Sequence, residues 1–130
     1  MGGTVRFTLI LAASLLLTAC SFRDAELSRQ VAGTWKEGLR GGVIVTSTMS
    51  PNGGFSDSLS QSNFVALTSQ GTWLVTNGEL IITCTNGQGT TRTGQRFVDP
   101  LSWVHRYKII HLDAHRLIGE RDGNTNFWSR

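Results

Sequence analysis

From Gly33 to Arg130 the apolar residues recur at every second position in short runs, and clusters of Gly, Asn, Asp and Pro separate the runs. Period two belongs to β-strands with one buried face, and the runs are too short for a long amphipathic helix. Val43, Val45 and Met49 alternate with Ile44, Thr46 and Thr48, and then comes the turn cluster Ser50-Pro51-Asn52-Gly53-Gly54. Strand-like pieces follow at 55–59 and 64–68. Trp73-Leu74-Val75-Thr76 and Leu80-Ile81-Ile82-Thr83-Cys84 flank Asn77-Gly78, a pair that tolerates positive φ and suits a type I′ hairpin. Asn86 to Gly94 is rich in Gly and Thr and is expected to be irregular; Asp99-Pro100 marks a turn before the run Trp103 to Leu112. Asp113-Ala114-His115 and Asp122-Gly123 separate the last two strands, 116–121 and 124–130. About eight or nine short strands at hairpin spacing predict an all-β antiparallel meander. Closing it into a barrel removes the sticky edges that the meander would otherwise expose.

The first 20 residues follow different rules. One positive charge, Arg6, precedes the apolar run Phe7 to Leu17, which is short for a bilayer span, and Leu17-Thr18-Ala19-Cys20 closes it. This ending resembles the lipobox of bacterial lipoproteins. The resemblance implies a signal peptide over 1–19, lipidation of Cys20, and attachment to a membrane through that lipid. Ser21 after the cysteine resembles the sorting signal for the outer membrane, with the protein facing the periplasm. Residues 20–32 then form a tether. Leu27 and Val31, four apart behind Asp24 as a cap, predict one or two helical turns in it.

Twelve basic and nine acidic residues give a net charge of +3 with no run of like charge. That distribution excludes a nucleic-acid groove. Only two cysteines are present, and lipidation of Cys20 leaves Cys84 with no intramolecular partner. Leu80, Ile82 and Cys84 share one strand face, so Cys84 is expected to pack as a small buried hydrophobe.

Gly33-Thr34-Trp35 opens the first strand just after the short helix, as in the lipocalins and the wider calycin barrels, which it resembles. In those families the tryptophan closes the bottom of the barrel and an arginine from a late strand lies across its ring. The resemblance assigns that part to Trp35 and Arg130. The segment 71–82 is similar to the central hairpin of small bacterial lipocalin-like domains, and 109–117 with Phe127 and Arg130 is similar to their closing strands. The chain is shorter than a full lipocalin, and the later lipocalin motifs are not recognisable in it. The implied fold is a small lipocalin-like β-barrel over 33–130. The implied function is binding of a small apolar ligand, with Trp73, Trp103 and Tyr107 as the pocket wall.

Trp103, His105, Tyr107 and Ile109 alternate onto one face of their strand. His105 and His111 are six residues apart, about 20 Å along a straight strand, so they do not share a metal; His111 and His115 provide at most a two-histidine site. No Gly-x-Ser-x-Gly elbow is present, the glycine-rich pieces do not join a strand to a helix, and Asp99, Asp113, Glu120 and Asp122 sit at turns, where carboxylates serve the backbone. The expectation is a protein that is not an enzyme and uses no metal or cofactor. Two readings stay open: a ligand carrier with an apolar pocket, or an envelope protein-interaction or inhibitor module with a filled barrel.

Overall fold

The computed structural model describes residues 22–61, 64–99 and 102–130. The leader 1–19 and Cys20, with their signal and lipidation assignments, lie outside the described residues. Residues 22–31 are helical and belong to α1. Nine strands follow: β1 (Gly33–Gly38), β2 (Val43–Met49), β3 (Gly54–Gln61), β4 (Phe64–Thr76), β5 (Glu79–Thr90), β6 (Arg96–Asp99), β7 (Trp103–Leu112), β8 (Arg116–Arg121) and β9 (Asn124–Ser129). Every pairing is antiparallel. The order β1-β2-β3-β4-β5-β7-β8-β9 returns to β1 and closes an eight-stranded barrel. A single bridge, Lys36 to Ser129, makes the last closure. β6 stands outside the ring order: β5 pairs with β7 through Glu79–Cys84 and with β6 through Gly87–Thr90.

Three segments differ from expectation, one of them β6, which pairs with the end of β5 where no strand was expected. The pieces 64–68 and 73–76 form one continuous strand, and the Gly/Thr-rich stretch continues β5 as far as Thr90. The cause is cross-strand contact, which overrides local preference. At the register shift between Gln70 and Gly71, the backbones of β4 and β5 come so close that a Cβ on Gly71 would lie 1.8 Å from the Thr83 carbonyl oxygen. Further along, the ring of Phe97 fills the space that a side chain at its partner Gly89 would occupy, so the glycine-rich strand is covered by an aromatic from its neighbour.

One end of the barrel is closed. Val31, Trp35, Met49, Leu80 and Leu117 are fully buried there, and Leu27 and Ala32 pack against them, so the second half of α1 is part of the core. The last carbonyls of a helix need donors from outside it. The Trp35 indole N–H donates to Val31 O (2.7 Å), while Arg130 donates to Gln30 O (3.0 Å), Ala32 O (2.9 Å) and, beyond the helix, Ala114 O (2.8 Å). The same guanidinium lies 4.0 Å from the centroid of the Trp35 ring. Gly33 has φ +132°, and a Cβ there would meet Arg130 Nη1 at 2.8 Å. The Gly-x-Trp opening is thus a backbone requirement followed by a core anchor.

Asp24 does not cap its own helix. It lies inside α1, and its carboxylate accepts the backbone N–H groups of Asn77 (2.9 Å) and Gly78 (3.1 Å), tying α1 to the β4–β5 hairpin. Those two turn residues have φ 52° and 73°, the left-handed pair of a type I′ turn. Cys84 is buried and free, as its strand face predicts.

Candidate functional site

The opposite end is lined differently. Residues of even spacing on a strand face one side, and four core positions have a polar companion displaced toward the open end. Glu37 follows Trp35 on β1, Asp57 follows Phe55 on β3, Arg121 follows Leu117 on β8, and Asn126 precedes Trp128 on β9. All four polar residues are half-buried, whereas Trp35, Phe55, Leu117 and Trp128 are buried. Together they form a ring of half-buried polar side chains, the cup, above the packed lower barrel.

One wall is aromatic. Trp103 and His105 stack with centroids 4.0 Å apart and planes at 26°, and Phe55 meets Trp103 edge-on at 6.3 Å. Tyr107 lies edge-on to His105 at 6.0 Å and to Trp128 at 5.1 Å, and its hydroxyl is 3.2 Å from His105 Nδ1. The Arg121 guanidinium lies over the Tyr107 ring, 5.5 Å from its centroid. Facing this wall, Asp57 sits between two buried serines, Ser47 on β2 and Ser69 on β4, which are its direct cross-strand partners. Glu37 Oε2 accepts from Asn126 Nδ2 at 3.4 Å.

The electrostatics follow from half-burial. Desolvation raises the Glu37 carboxyl above its ordinary value, against the lowering pull of Asn126 and Arg121. Desolvation also raises Asp57, against hydrogen bonds from Ser69. His105 is lowered, first by burial and then by Arg121, so its neutral form is favoured; Tyr107 is raised by burial. A carboxyl whose pKa is raised by folding holds its proton longer in the folded state than in the unfolded chain. Stability therefore falls as pH rises from the unfolded carboxylate value, about 4, through the raised folded value. Asp57→Asn is expected to melt higher than wild type at pH 7.5, and the two should converge near pH 3. Thermal melts across that range check it; a variant less stable than wild type at pH 7.5 would show that the Ser69 hydrogen bonds outweigh desolvation.

Of the residues expected from sequence to line a pocket, Trp103 is half-buried and stacked on His105, while Tyr107 is buried in the core cluster with its hydroxyl toward His105. Trp73 is elsewhere: its ring is buried among the core residues, and its indole N–H donates to Ser50 O (2.8 Å) in the β2–β3 turn at the closed end. Trp35 and Arg130 are at the closed end, as described. His111 and His115 lie at the β7–β8 turn outside the cup. There Asp113 binds His111 Nε2 (2.7 Å) and the backbone N–H groups of His115 and Arg116, which hold its carboxyl well below the usual range. Among the described residues, no three of His, Cys, Asp and Glu are grouped to hold a metal ion. The sequence reading missed Glu37, Asp57, Arg121 and Asn126. The available signal was a polar residue at the inward parity of a strand whose other inward positions are core.

Eight antiparallel strands in meander order close on themselves, and a helix and a Trp–Arg pair seal one end. The fold is lipocalin-like. No family model and no curated protein matches this chain. Among solved structures, a lipocalin-like protein from Bacteroides thetaiotaomicron is similar to it, at 22% identity and a TM-score of 0.49, over 77% of this chain and 96% of that one. Beyond the cup, the lipocalin-like barrel has an open depression of about 630 Å³ at its rim, against β4, β5 and β6, lined by Leu67, Gly89, Phe97 and Val98 among others.

Proposed function

We propose that this protein is a non-enzymatic, lipid-anchored component of the cell envelope that binds a small, partly apolar ligand in the open end of its barrel. The observation that carries this reading is the set of half-buried rings Trp103 and His105 beside the half-buried polar groups Glu37, Asp57, Arg121 and Asn126. Ligand sites combine apolar walls with a few placed polar groups in this way. In this reading Trp35, Trp73 and Trp128, packed in the core, are structural.

The anchor fits this arrangement. Cys20 lies two positions before the described part of α1, which is bound to the β4–β5 turn at the closed end. A lipid on Cys20 would hold the closed end toward the membrane and leave the cup facing away from it. Replacing Cys20 with Ser should leave an uncleaved, unlipidated precursor, read by palmitate labelling and by the mass of the N-terminal peptide. Cleavage after Ala19 with undiminished membrane retention would sink the lipoprotein reading. Placement in the outer membrane, facing the periplasm, rests on Ser21.

A second reading, a protein-interaction or inhibitor module, is favoured by the rim depression and the exposed Phe97 and Val98 beside it. Native mass spectrometry of the protein taken from its own envelope separates the two. A small-molecule increment supports the carrier, and a second polypeptide that is lost on Phe97→Ser supports the interaction module.

A further inference from the structure

We propose that the outer face of β7, β8 and β9 at the closed end is a membrane-contact surface, which lays this flank of the barrel on the bilayer that holds the anchor; this deepens the lipid-anchor reading above and rests on it. The argument starts from a contrast between two flanks. Trp35, Met49 and Phe55 are buried, so the residues beside them point outward: Thr34, Thr48 and Ser56 in one cross-strand row, and Lys36, Thr46 and Ser58 in the next. That flank carries hydroxyls and one lysine, as the water-facing side of a sheet does. On β8 and β9 the buried residues are Leu117 and Trp128, and their outward neighbours Ile118 and Phe127 pair across the strands. His111 pairs with Ile118, and the irregularity in β7 between Ile109 and His111 leaves Ile110 as an extra residue whose side chain turns to the surface. Ile110 is 52% exposed and Phe127 62%, so an apolar row across three strands faces outward.

Exposed apolar side chains standing singly are ordinary, and what marks this row is where the rest of the chain leaves the barrel. The Asp24 carboxylate binds the backbone N–H groups of Asn77 and Gly78, and Gly78 O accepts the N–H of Ile109 (3.1 Å), so α1 and the β7 segment that carries Ile110 are joined to one turn. Phe22, two residues before Asp24, is 72% exposed, and Cys20 lies two positions before it. A lipid on Cys20 brings the bilayer to the side of the barrel that carries the row. The charges at that border match a lipid surface. Asp24, Glu26 and Asp113 already bind the β4–β5 turn, Arg29 and His111, whereas the exposed Arg23 and Arg116 make no ion pair within 4 Å among the described residues. Guanidinium groups beside an apolar patch reach lipid phosphates while their stems lie along acyl chains. On the cup side of the row Lys108 stands between its cross-strand partners Glu79 and Glu120, so the charge there turns negative and the contact ends.

The test reads the depth of single fluorophores on the full-length protein, purified with its lipid from the producing membrane and reconstituted in phosphatidylcholine–phosphatidylglycerol vesicles. Phe127→Cys, Ile110→Cys and, on the hydroxyl flank, Ser56→Cys each carry nitrobenzoxadiazole on the new thiol. Cys84 is buried, and wild type treated with the same reagent is the blank. Vesicles are made with and without a lipid bearing a nitroxide high on its acyl chain. An interfacial face sits about 5–10 Å into the boundary of headgroups and acyl chains, so emission from positions 127 and 110 is expected to fall about twofold while position 56 is unchanged. All three positions are exposed, and if one of the first two variants fails to fold the other decides. Unquenched emission at both 127 and 110, or equal quenching at all three positions, overturns the membrane face and leaves the anchor standing. A blue shift at 127 without quenching shows a protein covering the face and overturns it too. The mass of the N-terminal peptide from the same sample scores the anchor: if Cys20 carries no lipid, the anchor reading falls and the membrane face falls with it.

Discussion

Trp35→Ala is expected to remove a large share of the stability of this protein, about 3–5 kcal/mol, from a total that for a domain of this size is about 5–15 kcal/mol. The ring is fully buried at the closed end, so the transfer loss is compounded by a cavity between α1 and the barrel floor. The substitution also strips Val31 O of its indole donor and leaves the Arg130 guanidinium without the face it covers. Urea denaturation with far-UV detection measures the loss. A drop under about 1 kcal/mol would mean that the closed end is not the keystone of the barrel. Arg130 provides the companion test. Its cation–π contact alone is worth about 0.5–2 kcal/mol, and it also donates to three carbonyls in three directions. A lysine ammonium at this position cannot reproduce the planar fork, so Arg130→Lys should resemble Arg130→Ala more than wild type. A double-mutant cycle with Trp35→Ala isolates the ring contact from the carbonyl contacts.

Gly71→Ala is expected to cost about 3 kcal/mol, although it adds one methyl to a partly exposed strand position. The added carbon would sit 1.8 Å from Thr83 O, and the obstacle is backbone, so either β4 or β5 must move. That movement breaks the register at the bulge between Gln70 and Gly71, where the longest hairpin of the barrel changes its pairing. Gly38→Ala is the control. It meets nothing within 4 Å and should leave stability unchanged or raise it by about half a kcal/mol. Hydrogen exchange localises the effect: Gly71→Ala should accelerate exchange at Leu80–Cys84 before it does so in β1 and β2. Equal stability of the two variants would show that the strands separate freely at the bulge.

Both substitutions act where the chain is most constrained, and neither touches the cup. In the cup, Glu37 and Asp57 are held in a half-buried state that raises their proton affinity, and Arg121 rests on a ring instead of a carboxylate.

What was legible in the sequence was what a few neighbouring residues determine. Asn77-Gly78 dictates its turn through the positive φ that both residues accept. The alternation from Trp103 to Leu112 marks a strand and puts Trp103, His105 and Tyr107 on one face. Leu80, Ile82 and Cys84 bury together for the same reason. The barrel also followed, because a meander with that many strands has few ways to hide its edges. The Gly/Thr-rich half of β5 was not legible, because its strand character comes from β4 and β6, whose Phe97 covers the glycine that local propensity counts against it. The role of Asp24 was not legible either: a carboxylate near a helix start satisfies whichever backbone N–H groups the fold brings to it, and these came from a hairpin 53 residues away.

The site divides along the same line. Period two determined that Trp103 and Tyr107 share a wall, and the Gly-x-Trp opening with a terminal arginine determined how one end is sealed. Tertiary structure alone decided that Trp73 belongs to the floor and that Glu37, Asp57, Arg121 and Asn126, from four strands, face the aromatic wall across one cup. Inward parity could be read on each strand separately. Which polar residues meet depends on how the strands are staggered around the ring, and that stagger is set by backbone pairing and bulges summed over the whole barrel.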